Sequence, residues 1–575
     1  MRKFLVAIAT AALVGGFGAF AGVANATPPL KPVFTKAAAF DVSKPLREIA
    51  PIDRTGFEFG DDDEEEGPEA PVGDIGHTTD GALQTASPSS SLAPLFTFEG
   101  ASNTDNFNIF GFRVNPPDTN MDVGRTQIVE MVNLVFNVYN KSGSLLLGPV
   151  DTGTLWSGFP IPDCTDPSGD PVVLYDQTTD HWILTQFTTR GLDAQVPEYN
   201  CVAVSKTSDA TGAYYRYAFP TQPDLIDGGY FFPDYPKYGV WSNSYIMTTR
   251  DFGWVDRYGI SVYALEKNKM VNGVPNARAV RFFLEVPNVV PLEDVGDGLL
   301  PPDIDGNRRP AANDSPAPIV GTQDDGAGYG ATTDALNIYE LTVHWNANPT
   351  ATLVQKPDLP VAAFDSIFPC GVVPGSQPPS ARDCLPQPGI TDGSQYLDIL
   401  SYRQRPTFRL AYRNFGNYES LVTNQAVEAS PGIAGERWYE IRRVNGAYSV
   451  YQQGTYAPND GVDRWMGSIA QDRKGNMALG YSVVNGTDVY PGIRYTGRLA
   501  GDPLGDMTLG EGVIANGTGV QTTFNSRWGD YTAMTIDPSN DCTFYYSNEY
   551  YTAASQATSP AGWLTRIGAF KLPGC

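Results

Sequence analysis

A short pattern recurs along this chain: an aspartate leads a tight turn between two apolar, strand-like runs. The segments DRKGNMALGYS (472–482) and DPSNDCTFYYS (537–547) align without a gap, and DQTTDHWILTQ (176–186) is a weaker third copy. An aspartate in the first turn position accepts backbone N–H bonds, and Asn, Asp or Gly closes the turn. The two stronger copies each follow an Arg-Trp pair, Arg464-Trp465 and Arg527-Trp528. Each copy predicts a β-hairpin.

Hairpins repeated at intervals of about 45–70 residues are typical of β-propeller blades. The 59 glycines and 46 prolines also favour turn-rich β structure over helices. Units of this kind fall at 112–150, 170–220, 235–285, 330–360, 408–452, 464–500 and 527–573. We predict an all-β chain in which residues 96–575 form a β-propeller of about seven blades. Six blades, another closure or a pair of β-sandwiches fit the same pattern.

The N-terminal part differs from the rest. Residues 1–26 have a positive start, a glycine-interrupted apolar run and a small-x-small end, Ala24-Asn25-Ala26, which together indicate a cleaved signal peptide rather than an anchor. Residues 27–95 contain DDDEEE (61–66) and a Pro/Ser-rich stretch, which predict a disordered acidic segment. We expect a secreted protein, extracellular or periplasmic, without a membrane span.

The six cysteines all lie in the mature part of the chain. An even count in an exported protein favours disulfides, and the absence of CxxC spacing disfavours zinc. Their spacing favours sequential pairing, with other connectivities open: Cys164 with Cys201, Cys370 with Cys384, and Cys542 with Cys575. The last pair would hold the final strand in its blade.

The formal net charge is −25, which repels nucleic acid and anionic lipid but suits extracellular cations. Two segments, DTNMDVG (118–124) and DIDGN (303–307), place oxygen-bearing side chains at alternate positions, as calcium requires. The candidate calcium ligands are Asp118, Asn120, Asp122, Asp303 and Asp305. Ordinary polar turns are the alternative. We expect a monomer whose partner is an extracellular glycan or a cell-surface ligand.

Histidine chemistry is poorly represented. The chain has only His77, His181 and His344, and it contains neither G-x-S-x-G nor H-E-x-x-H. A Ser-His-Asp triad, a histidine-bound zinc or a Cys-His pair is therefore disfavoured, and with it a peptidase or esterase. Any catalysis would fall to carboxylates, tyrosines, arginines or bound cations.

In a propeller, the loops that lead into the innermost strands gather at one end of the central channel. The segments assigned to this position carry Asp122, Asp170, Asp234, Lys237, Arg413, Tyr418, Glu419, Asp463, Arg464, Arg527, Asp530 and Tyr531. This mixture suits a sugar site, with carboxylates for acid/base work and rings for stacking. Turn caps and structural cation–π contacts are the alternative.

The segments DPVVLYDQTTDHWILTQF, DYPKYGVW, DRWMGSIAQDRKGNMALGYS and RWGDYTAMTIDP resemble secreted bacterial propellers of the broad sialidase-like (BNR-repeat) group. The resemblance spans most of 112–575 as a general blade pattern, and the group's Asp-box, S-x-D-x-G-x-T-W, is not reproduced. Sialidases use three arginines on the substrate carboxylate, a Tyr–Glu nucleophile pair and an aspartic acid. The resemblance implies these roles for Arg113, Arg413, Tyr418 and Glu419.

The leading hypothesis is a secreted carbohydrate-active enzyme, a glycoside hydrolase or polysaccharide lyase that acts through carboxylates at the channel mouth. The catalytic candidates are Asp530, Glu419, Tyr418 and Asp234. The substrate-binding candidates are Arg113, Arg413, Arg464, Arg527, Trp528 and Tyr531. The alternative is a non-catalytic, calcium-stabilised glycan-binding or adhesion propeller.

Overall fold

The computed structural model describes residues 30–54, 79–85, 88, 91–188, 197–222, 230–253, 257–367, 383–399, 404–523 and 526–575. The predicted signal peptide and the DDDEEE run lie outside these residues. The described chain is almost entirely β-strand and forms seven blades around a central axis. The all-β propeller and its blade count are therefore confirmed.

Three strands and a helix precede the first blade: β1 (Val33–Lys36), β2 (Ala39–Val42), β3 (Phe96–Ser102) and α1 (Asn103–Phe110). From there the chain runs outward from the axis in each blade. Blade 1 contains β4 (Asn120–Val123), β5 (Gln127–Val132), β6 (Val135–Asn140) and β7 (Leu145–Asp151). Blade 2 contains β8 (Val173–Asp176), β9 (His181–Phe187), β10 (Tyr199–Ser205) and β11 (Tyr214–Pro220).

Blade 3 contains β12 (Phe232–Val240), β13 (Ser244–Gly253), β14 (Arg257–Glu266), the short helix α2 (Lys267–Val271) and β15 (Arg278–Val286). Strand β16 (Pro302–Asp305) comes next along the chain, and blade 4 contains β17 (Ala317–Gln323), β18 (Ala335–His344), β19 (Thr350–Gln355) and β20 (Leu359–Pro360). A separate two-stranded pair follows, β21 (Asp383–Leu385) and β22 (Leu397–Asp398). Strand β16 leads into blade 4 but pairs in parallel with the innermost strand of blade 5.

Blade 5 contains β23 (Thr407–Asn414), β24 (Glu419–Ser430), β25 (Ile433–Val444) and β26 (Ala447–Tyr456). Blade 6 contains β27 (Asp463–Gln471), β28 (Met477–Val484), β29 (Gly492–Arg498) and β30 (Leu509–Ala515). Blade 7 contains β31 (Ala533–Ile536), β32 (Thr543–Tyr550), the short helix α3 (Ala553–Gln556) and β33 (Leu564–Lys571). None of the helices among the described residues has the length and apolarity needed to cross a membrane.

The ring closes through both ends of the chain. Strand β31 of blade 7 contacts β4 of blade 1, and β3 pairs with β33 as the outermost strand of blade 7. A disulfide joins Cys542, in the turn after β31, to the terminal Cys575. This confirms the predicted staple on the last blade. The Cys164–Cys201 pair is confirmed as well, whereas Cys370 lies outside the described residues and its pairing with Cys384 stays a prediction.

Residues 30–54, 79–85, 88 and 91–102, called here the N-terminal strap, follow the outside of the ring. Strand β1 extends the outer edge of blade 3, and β2 extends that of blade 2. Further along, Asp80 forms a buried ion pair with Arg437 of blade 5. The prediction of disorder is therefore wrong for residues 30–54, because four-residue runs suffice to complete an exposed sheet edge.

The repeated aspartates occupy the turns predicted for them. Asp176, Asp472 and Asp537 each end or follow the innermost strand of their blade and begin the turn to the second strand. Each accepts a backbone N–H two residues on, from Thr178, Lys474 and Ser539, at 3.0, 2.7 and 2.8 Å. The apolar core lies mainly between blades, where Ile260, Ile338 and Leu421 of three neighbouring blades share one cluster.

Candidate functional site

The innermost strands all begin at one end of the channel, the entry face, and finish at the other, the exit face. Asp118, Asp170 and Asp530 lie just before β4, β8 and β31, and Asp234 lies near the start of β12. The backbone N–H of Asp530 donates to Asp118 Oδ1 at 2.7 Å, and the Tyr531 hydroxyl lies 2.9 Å from Asp170 Oδ2. As predicted for the entry segments, these side chains meet at the channel mouth.

Asp530 faces two guanidinium groups. Arg527 donates to Asp530 Oδ2 at 2.7 Å, and an Arg405 nitrogen lies 3.5 Å from Asp530 Oδ1. Both Asp530 and Arg405 are almost fully buried, so their attraction is weakly screened. Asp530 is thus paired with two cations at the entry face.

Asp170 has the opposite environment. Burial raises the pKa of Asp170 well above its usual range, and the charges of Asp118 and Asp234 raise it further. The hydrogen bonding agrees, because the Tyr531 hydroxyl lies 2.9 Å from both Asp170 Oδ2 and the Pro236 carbonyl oxygen. A hydroxyl has one proton and the carbonyl only accepts. If Asp170 is protonated, it donates to the Tyr531 oxygen, and the Tyr531 hydroxyl donates to the Pro236 carbonyl oxygen.

Lys237 lies at the centre of the cluster. Its Nζ lies 3.1 Å from the ring centre of Tyr235 and 3.0 Å from that of Tyr531, without a hydrogen-bond partner. Burial lowers the pKa of Lys237 well below its usual value, and the charges of Asp170 and Asp530 oppose that shift. Two aromatic faces also favour an ammonium group. Lys237 is therefore placed to balance the carboxylates around it.

Sequence reasoning missed two charged members of this cluster, Arg405 and Glu549. The Glu549 side chain accepts the Gly529 N–H at 2.7 Å, and burial raises the pKa of Glu549 well above its usual range. A Cβ on Gly529 would stand 3.0 Å from the Asp118 nitrogen, so glycine permits this approach. Arg405 was recognisable from its position just before β23, whereas nothing in the sequence marks Glu549, which lies on a second strand.

A second charged group fills the channel below the entry cluster. Arg409 donates to Asp303 Oδ2 at 2.7 Å and to Asp305 Oδ2 at 2.6 Å. Burial raises the pKa of Asp303 to about 6 and that of Asp122 well above its usual range. Two of the predicted calcium ligands, Asp303 and Asp305, are thus bound by a guanidinium group and lie on innermost strand β16 rather than on a loop.

The other predicted calcium ligands do not share a centre. Asn120 Oδ1 and Asp122 Oδ2 accept the backbone N–H groups of Val173 and Tyr175, which joins blade 1 to blade 2. Asp118 accepts from Asn133 at 2.7 Å at the entry face. Calcium binding stays a prediction.

Within the described part of the chain, one group of three carboxylates brings its oxygens within 4.8 Å of one another: Asp324, Asp325 and Asp334. Asp324 accepts the Ser366 N–H at 2.6 Å, and Asp334 accepts the Phe364 N–H at 2.9 Å. These bonds give the two aspartates a role in holding the 364–366 segment. The sequence had not marked them as ligands.

Three candidate residues lie at the wrong end of the channel. Tyr418 and Glu419 follow β23 instead of preceding it, so they belong to the exit face, and Arg413 lies near the end of the same strand. Glu419 accepts from Tyr412 at 2.5 Å, and Arg413 forms two bonds to Asp541, at 2.9 and 2.7 Å. Their predicted place beside Asp530 is wrong, because a turn sequence does not reveal which end of a strand it joins.

Arg464, Trp528 and Arg113 make structural contacts. Arg464 forms ion pairs with Asp460 and Glu511, and Trp528 is fully buried, with its indole N–H donating to Ser482 Oγ at 3.0 Å. The Arg113 guanidinium lies over the Phe107 ring of α1, at 5.2 Å. Trp528 has no exposed surface for a substrate to stack upon.

No family model and no curated protein matches this chain. Among solved structures, it is similar to the α-L-arabinanase of Penicillium chrysogenum, with 10% identity and a TM-score of 0.35 over 73% of this chain and 96% of that one. It is also similar to the exo-β-1,3-galactanase of Clostridium thermocellum, with 10% identity and a TM-score of 0.30 over 83% of this chain and 97% of that one. The sialidase of Trypanosoma rangeli has 8% identity and a TM-score of 0.29 over 70% of this chain and 54% of that one. Similarity this distant assigns no activity, so the functional argument rests on the site itself.

Proposed function

We propose that this protein is a carbohydrate-active enzyme, a glycoside hydrolase that cleaves an extracellular glycan at the entry face. The observation that carries the proposal is the contrast between two carboxyl groups in one cluster. Desolvation and the charges of the neighbouring carboxylates raise the pKa of Asp170, whereas Asp530 is paired with Arg527 and Arg405. Glycoside hydrolysis requires one carboxylic acid and one carboxylate, with their pKa values moved apart by their surroundings.

In this mechanism Asp170 donates its proton to the departing glycosidic oxygen. Asp530 is too buried to reach the sugar directly, so its role is to accept a proton from the water that attacks the anomeric carbon. Asp170 and Asp234 are the partly exposed carboxyl groups of the cluster, so they form the edge that meets a substrate. Lys237 stabilises the negative charge that remains on Asp170 after proton transfer, since its charge lowers the pKa of Asp170.

The experiment is a screen of the protein against extracellular polysaccharides for new reducing ends, followed by Asp170→Asn. General acid catalysis contributes about 10²–10⁴-fold, so we expect a loss of that size with an unchanged melting temperature. Activity of the wild type should fall as pH rises through the raised pKa of Asp170, because the protonated form is the active one.

The matched control is Glu419→Gln, a carboxylate of the exit face, which should retain full activity. Full activity in Asp170→Asn would reject the assignment of the acid. Glycan binding without new reducing ends across the panel would reject the enzyme and favour the non-catalytic glycan-binding propeller.

A further inference from the structure

The exit face contains a cavity of about 610 Å³ that the entry-face site does not use. It lies between blades 3 and 4, beside the β8–β9 turn of blade 2. Its buried floor includes Ser242, Lys267 and Val343, and its exposed rim includes Asn268, Asn313 and Asn346. Small-molecule sites commonly measure about 300–1,000 Å³, so the cavity has room for a ligand.

The charged side chains of this cavity are already balanced. The lining contains two basic groups, Lys267 and Arg309, and two acidic groups, Glu266 and Asp314, besides His344. Lys267 pairs with Asp176 at 2.7 Å, and Glu266 pairs with Arg278 at 2.6 Å. Asp314 lies 2.8 Å from His344, and Arg309 donates to the Thr178 carbonyl at 2.8 Å. An ionic ligand would have to compete with these pairs.

The uncharged polar groups are the ones left for a ligand. Ser242 is 6% exposed, and its hydroxyl has no hydrogen-bond partner, which is costly for a buried group. The rim amides of Asn268, Asn313 and Asn346 each offer two donors and an acceptor. Sugar hydroxyls both donate and accept, so they match this set better than a carboxylate or an amine would.

An aromatic side chain gives the cavity a fixed wall. The Trp345 indole N–H donates to Ser244 Oγ at 3.0 Å, and the Arg278 guanidinium lies 5.4 Å from its ring centre. Phe34 of the N-terminal strap meets the same ring edge-on at 6.3 Å. These contacts hold the half-buried indole in one orientation, and a preorganised wall reduces the entropy cost of binding.

We propose that this exit-face cavity is a second binding site, for a neutral oligosaccharide. The cavity lies at the opposite end of the blades from Asp170 and Asp530, so it binds sugar without contacting the proposed catalytic groups. Its function is attachment, and the proposal stands whether or not the entry face is catalytic.

The test is calorimetric titration of the full-length Asp530→Asn protein with neutral tetrasaccharides of glucose, xylose, arabinose and galactose. We expect saturable binding of at least one of them, with Kd below about 1 mM. Ser242→Val and the Asn313→Ala/Asn346→Ala pair should each weaken that binding at least tenfold. Asn417→Ala, an exposed asparagine elsewhere on the exit face, is the matched control and should leave it unchanged.

Three outcomes would overturn the proposal: no saturable binding to any neutral sugar, equal binding by the cavity variants, or preferential binding of uronate-containing sugars. The variants also separate the two sites. If Asp170→Asn loses turnover but still binds sugar in the titration, both sites are supported. If the cavity variants lose sugar binding but keep turnover, the two sites act independently.

Discussion

At the scale of the residue, the unusual groups are buried carboxyls without a cation beside them. Glu436 is the clearest example, since it is fully buried in β25 and accepts hydrogen bonds from the Asn424 amide at 2.8 Å and from the Gly467 N–H. Burial raises the pKa of Glu436 to about 8. The folded protein therefore binds a proton that the unfolded chain releases near its ordinary pKa, so this group costs stability as pH rises through that interval.

We predict that Glu436→Gln makes the protein more stable at alkaline pH and changes little at pH 5. Glutamine has the same shape and no charge to bury, and each unit of pKa shift corresponds to about 1.4 kcal/mol. The gain at pH 8 should reach a few kcal/mol by the same conversion. Urea unfolding at both pH values measures it, and Asp488→Asn, an exposed carboxylate, is the control. An equal gain at pH 5 would contradict the prediction.

Sequence reasoning located part of the entry cluster at this scale. Asp234, Asp530 and Tyr531 could be predicted because each lies near the start of a strand, next to residues that are typical of turns. Glu549 was not, because its position follows from strand pairing across the blade. Tyr418 and Glu419 were misplaced for a related reason, since their segment carries the same polar and aromatic residues at the opposite end of a strand.

At the scale of the element, four blades begin with a strained residue, and three blades have an aspartate-capped turn at the exit face. The backbone is left-handed at Asp118, Asp170, Tyr235 and Met466, with φ of 47°, 46°, 55° and 56°, and all four lie at or near the start of an innermost strand. Such a conformation is unfavourable for a tyrosine or a methionine. At the exit, the repeated aspartates satisfy the turn. The local sequence predicts the aspartate-led turns at the exit face, but it does not predict the left-handed residues at the entry face.

We predict that Asp472→Ala destabilises the protein by about 3 kcal/mol, because three hydrogen bonds are lost and a net contribution of about 1 kcal/mol is usual for each. Asp472 Oδ1 accepts from the Lys474 and Asn476 amides at 2.7 and 3.0 Å, and Oδ2 accepts from the Asn476 side chain at 2.7 Å. Denaturant midpoints measure the loss. Asp488→Ala, at an exposed turn with a single side-chain bond, should cost less than half as much. Equal effects would contradict the role of the repeated aspartate.

At the scale of the whole molecule, the N-terminal strap is the largest departure from expectation. It contributes edge strands to blades 2, 3 and 7 and places Asp80 against Arg437 of blade 5, both fully buried. The seven-blade ring could be predicted because hairpin spacing is periodic. The strap could not, since its short runs gain order only from sheet edges made by distant residues.

We predict that Asp80→Ala destabilises the protein by about 3–5 kcal/mol, because it leaves a buried guanidinium unpaired. Arg47→Ala removes a pair from the same strap whose side chains are 52% and 44% exposed, and it should cost at most about 1 kcal/mol. Thermal unfolding compares the two variants, and limited proteolysis of the strap should accelerate only in Asp80→Ala. Similar stabilities for the two variants would show that the strap is not anchored at Asp80.

The closing strand β3 has a consequence for how the molecule is made. Thr97 pairs with Gly568, so strand β3 must wait for a partner strand that is made far later. The seventh sheet can be completed only after β33 has been made, and contacts this distant in sequence make folding slow. Until then two strand edges stay open to aggregation. Ring closure therefore depends on the last strand of the ring to be made, and the open edges are exposed to aggregation for the whole of that interval.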